Sequence, residues 1–182
     1  MAITRDEYEA ARAETLAYFA RIGVVLSEQE KQRIEVADFG LGALKQFGVQ
    51  LITYVDTTRV GAKEVVLMPG QICPEHRHPP VNGGPGKEET FRCRFGTLYL
   101  YVDGPPTRSP QGHVPEDRRE HFTVWHEVVL NPGDQYTVYP DTLHWFQAGP
   151  EGAVMSEFAT PGTDEYDRYT DPGVARIPEI RG

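Results

Sequence analysis

Between Val49 and Thr160 the chain is written almost entirely in short runs of β-branched and aromatic residues, and this pattern limits the fold most. VQLITYVD, KEVVLMPG, ETFRCRFGTLYLYVDG, HFTVWHEVVLNPGD, QYTVYPD, LHWFQAG and AVMSEFAT follow one another, with Pro-Gly, Asp-Gly and Asn-Pro-Gly pieces at their joints. Such residues fit a pleated, half-buried surface, and the Gly and Pro pairs mark the turns. Strands at this spacing with no helices between them predict an antiparallel sandwich or barrel. The 15 prolines and 18 glycines agree with many turns rather than a helix bundle. At 182 residues, 39% of them hydrophobic, the chain can bury one core, and a single domain is expected.

Two short N-terminal helices precede the strands. Thr4 with Glu7 and Ser27 with Glu30 both have the S/T-x-x-E form of a capping box. Tyr8, Ala11, Thr15, Leu16 and Phe19 recur at helical spacing, Gly23 ends the first helix, and the second runs to about Ile34. The expected parts are a helical segment over 1–36, a barrel over 37–160 and a tail over 161–182. The segment 104–120 reads as a loop rich in proline and charge. The tail, with Asp171-Pro172 and Ile177-Pro178, lacks periodicity and is expected to wrap the surface or a partner.

A net charge of −9 with no Lys/Arg-rich run argues against nucleic acid or an anionic membrane as partner. No run is long and apolar enough to span a bilayer, and the acidic start is wrong for a signal peptide, so a cytoplasmic setting is expected. Cys73 and Cys93 are too few for a disulfide scaffold and lack a zinc-like spacing; reduced thiols in or beside the core are the reading.

The chemistry concentrates in GQICPEHRHPPVNGGPGKEETFRCRFG, residues 70–96. Residues i and i+2 of a strand share a face, so His76 and His78 can aim two imidazoles into a barrel. Gly70 stands six residues before His76, Glu89 stands seven before Gly96, and Pro140 through His144 follow the Pro132-Gly133-Asp134 turn. The spacing to Gly96 favours Glu89 over Glu88. Alternation agrees, placing Glu89, Phe91, Cys93 and Phe95 inward and Thr90, Arg92 and Arg94 outward.

That arrangement resembles the two motifs of the cupin superfamily. The resemblance implies an all-β cupin double-stranded β-helix, a jelly-roll barrel, holding one divalent metal through His76, His78, Glu89 and His144. Two departures stand out: ten residues separate His78 from Glu89 where three or four are usual, and the second motif has its proline shifted, with Ala148 at the place of the trailing asparagine. CPEHRHPP, GKEETFRCRFGTLYLYV, EDRREHFTVWHEVVL and HWFQAG together resemble the short, bacterial-type D-lyxose isomerase family. The resemblance runs from the FGLG segment to the Asp-Pro near the end.

It implies an isomerase interconverting D-lyxose with D-xylulose, and D-mannose with D-fructose, using Mn2+. Co2+, Fe2+, Ni2+ and Zn2+ also suit three imidazoles and a carboxylate. A chelated 2-hydroxy aldehyde would pass through an enediolate stabilised by the ion, and a separate side chain must carry the proton from C2 to C1. Glu157, between Met155 and Phe158, is the first candidate, against an equal expectation of a solvent-side glutamate; Lys87 is the second, as a donor to the developing oxyanion. Glu75 ranks lower because it points away from His76 in a regular strand. Trp125, Trp145 and Phe146 could offer apolar surface to a sugar, and Arg92, Tyr99 and Gln147 polar contacts, although packing is the commoner role for aromatic residues. His113, in the loop, and His121 and His126, on opposite strand faces, are not assigned to the metal. A homodimer follows from cupin habits and from strand edges that need cover. The rival readings are a sugar-binding or sensor cupin without turnover, a phosphosugar isomerase and an oxygen-using cupin.

Overall fold

The computed structural model describes residues 3–162, 164–176 and 180–181. The chain opens with β1 (Ile3–Thr4), α1 (Arg5–Arg21) and α2 (Glu28–Gln32). The strands β2 (Glu35–Ala37), β3 (Val49–Asp56), β4 (Gly61–Leu67), β5 (Ile72–Arg77) and β6 (Glu89–Val102) follow. Then come β7 (His126–Leu130), β8 (Gln135–Val138), β9 (His144–Ala159), β10 (Arg168–Tyr169) and β11 (Ile180–Arg181). Short 3-10 turns cover Glu116–His121 and Asp164–Tyr166. Ile177-Pro178 lies outside the described residues.

Both capping boxes form. The Thr4 and Ser27 hydroxyls accept the backbone N–H of Glu7 and Glu30, whose carboxylates accept the cap N–H groups in return. Each box satisfies two donors that a helix start would otherwise leave without partners.

Two long strands organise the sheet. β9 pairs with β6 along nearly its whole length, from Val102↔His144 to Glu89↔Ala159. The first half of β9 also pairs with β5, and its second half with β4. β6 divides in the same way, its first part pairing with β8 and its last with β7. Two sheets therefore share β6 and β9 and curl over one another, β10-β5-β9-β6-β7 on one side and β2-β3-β4-β9-β6-β8 on the other. This is the jelly roll expected from the sequence.

Where the strands pass from one sheet to the other, the inward face changes parity. Glu89, Phe91 and Cys93 face inward, as alternation predicts, but register shifts at Cys93/Phe95 and Gly96/Leu98 follow. Phe95 consequently leaves the interior and packs against Tyr18 of α1, a correction to the inward position expected for it. Gly96 makes the bend possible. It has φ +70°, and a Cβ there would stand 1.9 Å from the Gly152 carbonyl oxygen across the ladder. The corresponding change in β9 falls at Gly149–Gly152, so LHWFQAG and AVMSEFAT are one bent strand.

The interior between the sheets is filled by Leu51, Val65, Leu67, Phe91, Leu98, Leu100, Phe146 and Met155. A second cluster lies outside, where Ala11 and Phe19 of α1 cover Val36, Ile52, Val66 and Val154. Each large side chain so buried contributes roughly 1.5–3 kcal/mol. Tyr8 and Tyr18 add directional ties by donating to the carbonyls of Ile34 and Glu151.

Gly96→Ala combines a disfavoured backbone angle with a clash against backbone that cannot swing aside. It should cost roughly 2–4 kcal/mol, read as a lower urea midpoint at unchanged m; a variant as stable as wild type would remove the bend from the account.

Candidate metal centre and cavity

Four side chains converge where the barrel opens. His76 stands on β5, His78 just beyond its end, and Glu89 and His144 are the first residues of β6 and β9. Ladder pairing sets His76 directly across from His144. One potential ligand atom from each of the four lies within 4.8 Å of the others, and all four side chains are buried. Glu89 Oε1 is 3.1 Å from His78 Nε2 and 3.0 Å from His144 Nε2. The latter approach is too poorly angled for a hydrogen bond, which leaves His144 Nε2 buried without one.

The other ring nitrogens fix the tautomers. Nδ1 of His76 donates to the Pro74 carbonyl at 2.8 Å and Nδ1 of His144 to the Thr142 carbonyl at 3.0 Å. A carbonyl can only accept, so the proton sits on Nδ1 and each Nε2 turns a lone pair to the centre. His78 uses Asp167 in the same way, Nδ1 to Oδ1 at 2.5 Å. His78 Nε2 meets Glu89 Oε1 at 3.1 Å, while the His76 and His144 lone pairs aimed beside that buried carboxylate are an arrangement that a divalent cation satisfies. The donor set of three imidazoles and one carboxylate suits Mn2+, Fe2+, Co2+, Ni2+ or Zn2+.

These residues border a small, partly open cavity of about 50 Å³. Lys87 crosses it, its ammonium 2.7 Å from Glu89 Oε2, 2.8 Å from Glu157 Oε1 and 3.3 Å from Asp164 Oδ1. The Glu157 contact is an ion pair without hydrogen-bond alignment. Lys63 stands 2.6 Å from the other oxygen of Asp164, and Arg176 3.5 Å from that same oxygen. Among the side chains lining the cavity, four carboxylates face three cations, one negative charge in excess when the imidazoles are neutral.

Burial opposes every charge in this network; close partners overrule it at Lys87, Glu89 and His78, whereas burial prevails at His76 and raises the Asp167 carboxyl despite its contact with His78. The Lys87 ammonium is held well above the usual lysine range because Glu157, Glu89 and Asp164 outweigh its desolvation. Glu89 is held well below the usual carboxylate range, where Lys87 and His78 outweigh burial. Burial depresses His76 well below the usual histidine range, and the adjoining His144 and His78 rings add to the effect. For His78 burial works in the same direction, but Glu89 and Asp167 overcome it and lift the ring to about 10. A divalent ion competes with that proton for the Nε2 lone pair, so loading the site expels it.

No protein-family model matches the chain. A D-lyxose ketol-isomerase of a Thermofilum species is 52% identical over 178 residues, covering 98% of this chain and 99% of the relative. A D-lyxose/D-mannose isomerase of Thermosediminibacter oceani is 59% identical over 160 residues, 88% of either chain. This chain belongs to the D-lyxose isomerase family. The L-ribose isomerase of Acinetobacter sp. DL28, solved with L-ribose, superposes with a TM-score of 0.82 at 15% identity, covering 99% of this chain and 98% of that one. At that identity the likeness concerns the fold, which the D-lyxose isomerase family therefore shares with L-ribose isomerases.

His76, His78, Glu89, Lys87 and Glu157 all line the cavity, and His144 stands 3.0 Å from Glu89 beside it. Glu157 is buried, not on the solvent side. Phe146 also lines the cavity. The three residues expected to contact substrate lie elsewhere. Arg92 points outward from β6, exposed, and donates to Gln135. Trp145 is on the outward face of β9, stacked on Tyr101 at 3.8 Å under the loop. Gln147 shares that face, with its amide spent on Gly70 and His113. All three follow from alternation, since His144 and Phe146 face inward. Tyr99 and Trp125 do not line the cavity either. His121 closes a 3-10 turn rather than standing on a strand.

Glu75 does point away from His76, and it is buried. Its carboxylate accepts from Thr123 N and Oγ1, Val124 N and Thr170 Oγ1, pinning the loop and the C-terminal segment to β5. Lys63, Asp164, Asp167, Tyr169 and Arg176 also line the cavity and were not expected there. Alternation in KEVVL, which groups Lys63 with Val65 and Leu67, could have found the first; nothing periodic marks the others.

Both cysteines are free and buried. Burial pushes the Cys73 thiol well up and the Cys93 thiol up to about 11. Neither should react with a thiol reagent at pH 8 in the native state, and both should react once the chain is unfolded. Modification of the native protein at the rate of a free thiol would contradict this.

Proposed function

We propose that the chain is a Mn2+-dependent aldose–ketose isomerase that interconverts D-lyxose and D-xylulose, and also D-mannose and D-fructose. The observation that carries this reading is the convergence, in one buried cavity, of a cation-ready group with two side chains able to manage a proton. The names of the relatives at 52% and 59% identity supply the substrate class. His76, His78, Glu89 and His144 would hold the ion, whose contribution is to draw electron density from the sugar's C1 and C2 oxygens as a Lewis acid.

The chain's own residues do the rest. Glu157 is the group that takes the proton from C2 and returns it to C1. Its Oε1 is buried in the cavity, held 2.8 Å from the Lys87 ammonium without hydrogen-bond alignment. Lys87, protonated among its carboxylates, donates to O1 as that oxygen gains charge and is reprotonated by the O2 hydroxyl, so the hydroxyl proton passes from O2 to O1. Lys63, 3.6 Å from Glu157, keeps that carboxylate in place. The cavity as it stands has room for only a few waters. A pentose therefore enters by displacing part of the Lys87–Asp164–Arg176 network, exchanging ion pairs for hydroxyl contacts.

D-Lyxose and D-mannose share the C2 configuration and differ by one terminal carbon, so one proton carrier can serve both. A homodimer in the cytoplasm completes the reading. Exposed apolar side chains on the outer sheet face, Val55 and Phe158, offer surface for a second copy, and no helix among the described residues is long and apolar enough to cross a membrane.

Mn2+-loaded protein incubated with D-lyxose under anaerobic conditions should yield D-xylulose. Glu157→Gln should keep the ion and bind sugar while kcat falls roughly 10³-fold. Tight sugar binding with no ketose formed by wild type would instead make the protein a binding module, and a fully active Glu157→Gln would remove the proton carrier.

A further inference from the structure

The three imidazoles are oriented by two different devices. His76 and His144 donate to carbonyls two residues earlier in their own chain, bonds that form as the local backbone forms. His78 stands past the end of β5, and its Nδ1 partner is the Asp167 carboxylate, 89 residues away in sequence. The two side chains are 2% and 4% exposed. Register explains the meeting. β10 pairs Tyr169 with His76 and Arg168 with Arg77, so one step further along the ladder Asp167 stands opposite His78. The same pairing stacks the Tyr169 ring on His76, with centroids 5.3 Å apart.

This segment also supplies Asp164, which takes contacts from Lys63, Lys87 and Arg176. Thr170 then ties it to Glu75. The residues from Asp164 to Arg176 thus form one wall of the cavity, joined to the cation-ready group by the Asp167–His78 hydrogen bond and by the Tyr169 ring stacked on His76.

We infer that Asp167 is a positioning residue that makes His78 a competent metal ligand, and that through it the docked C-terminal segment and the bound ion stabilise each other. The inference rests on the metal reading above. A carboxylate on Nδ1 holds the proton there, fixes the ring angle and makes Nε2 a better donor to a cation. Coupling of this kind is reciprocal: whatever factor the docked segment adds to metal affinity, the metal adds to docking of the segment.

The test uses the full chain, stripped with a chelator and titrated with Mn2+ by calorimetry, as wild type, Asp167→Asn and Asp167→Ala. Hydrogen exchange of residues 164–176 is followed with and without the ion. Asp167→Ala should bind Mn2+ 10–100-fold more weakly. Asp167→Asn, which keeps an acceptor but loses the charge, should fall between it and wild type. Mn2+ should slow exchange of the segment in wild type, and much less in Asp167→Ala. A purely structural role would lower the melting temperature and leave Mn2+ affinity unchanged, and that result overturns the inference. If Asp167→Ala does not fold, wild-type affinity in Asp167→Asn, or exchange in the wild-type segment indifferent to Mn2+, overturns it equally. A wild type that binds Mn2+ beside a variant that binds it as tightly sinks this inference alone; a wild type that takes up no Mn2+ sinks the metal reading with it.

Discussion

A carboxylate almost fully removed from water, Glu89, is the constraint on which the remaining structure depends. A buried charge costs several kcal/mol unless paired and hydrogen-bonded. This one is met by Lys87 on one oxygen and by the His78 and His144 rings at the other. Lys87 is itself buried and requires Glu157 and Asp164, which in turn require Lys63 and Arg176. The network runs outward from one residue until it reaches the surface. Losing any inner member would strand a partner, at a cost of roughly 3–5 kcal/mol. Such an investment against stability is typical of a site kept for chemistry.

Two bent strands make the convergence possible. Since β6 and β9 belong to both sheets, their first residues, Glu89 and His144, lie near the mouth in different sheets yet face one centre. β5 adds His76 by pairing against the start of β9. The long interval from His78 to Glu89 ends by delivering Lys87 into the cavity. The C-terminal segment closes the far wall. Each contributor is fixed by ladder register, so a one-residue slip in β5 or β6 would turn its ligand out of the barrel.

The legible parts were those with local causes. Both capping boxes, the strand at 49–56 and the inward face from Glu89 to Cys93 follow from spacing and alternation alone. The grouping of His76, His78, Glu89 and His144 is what the resemblance to the cupin motifs implies, and the four side chains do converge. Alternation failed at Phe95 because Gly96 and Gly152 let the strands change faces, and a period of two cannot foresee a bulge. Trp145 and Gln147 have residue types that suit a sugar, but their parity is opposite to that of His144 and they face away from the cavity. Asp164, Asp167 and Arg176 carry no periodic signal, because long-range register rather than local pattern places them.

The central claim is that one divalent ion, held by those four side chains, is required for the isomerisation that the cavity supports. The most direct measurement strips the protein with a chelator and returns Mn2+ in substoichiometric steps, following ketose formation and bound metal together. The account predicts negligible turnover at zero metal, a linear rise, and a plateau at one ion per chain. Full turnover by the stripped protein, or activity that does not track bound metal, would contradict it.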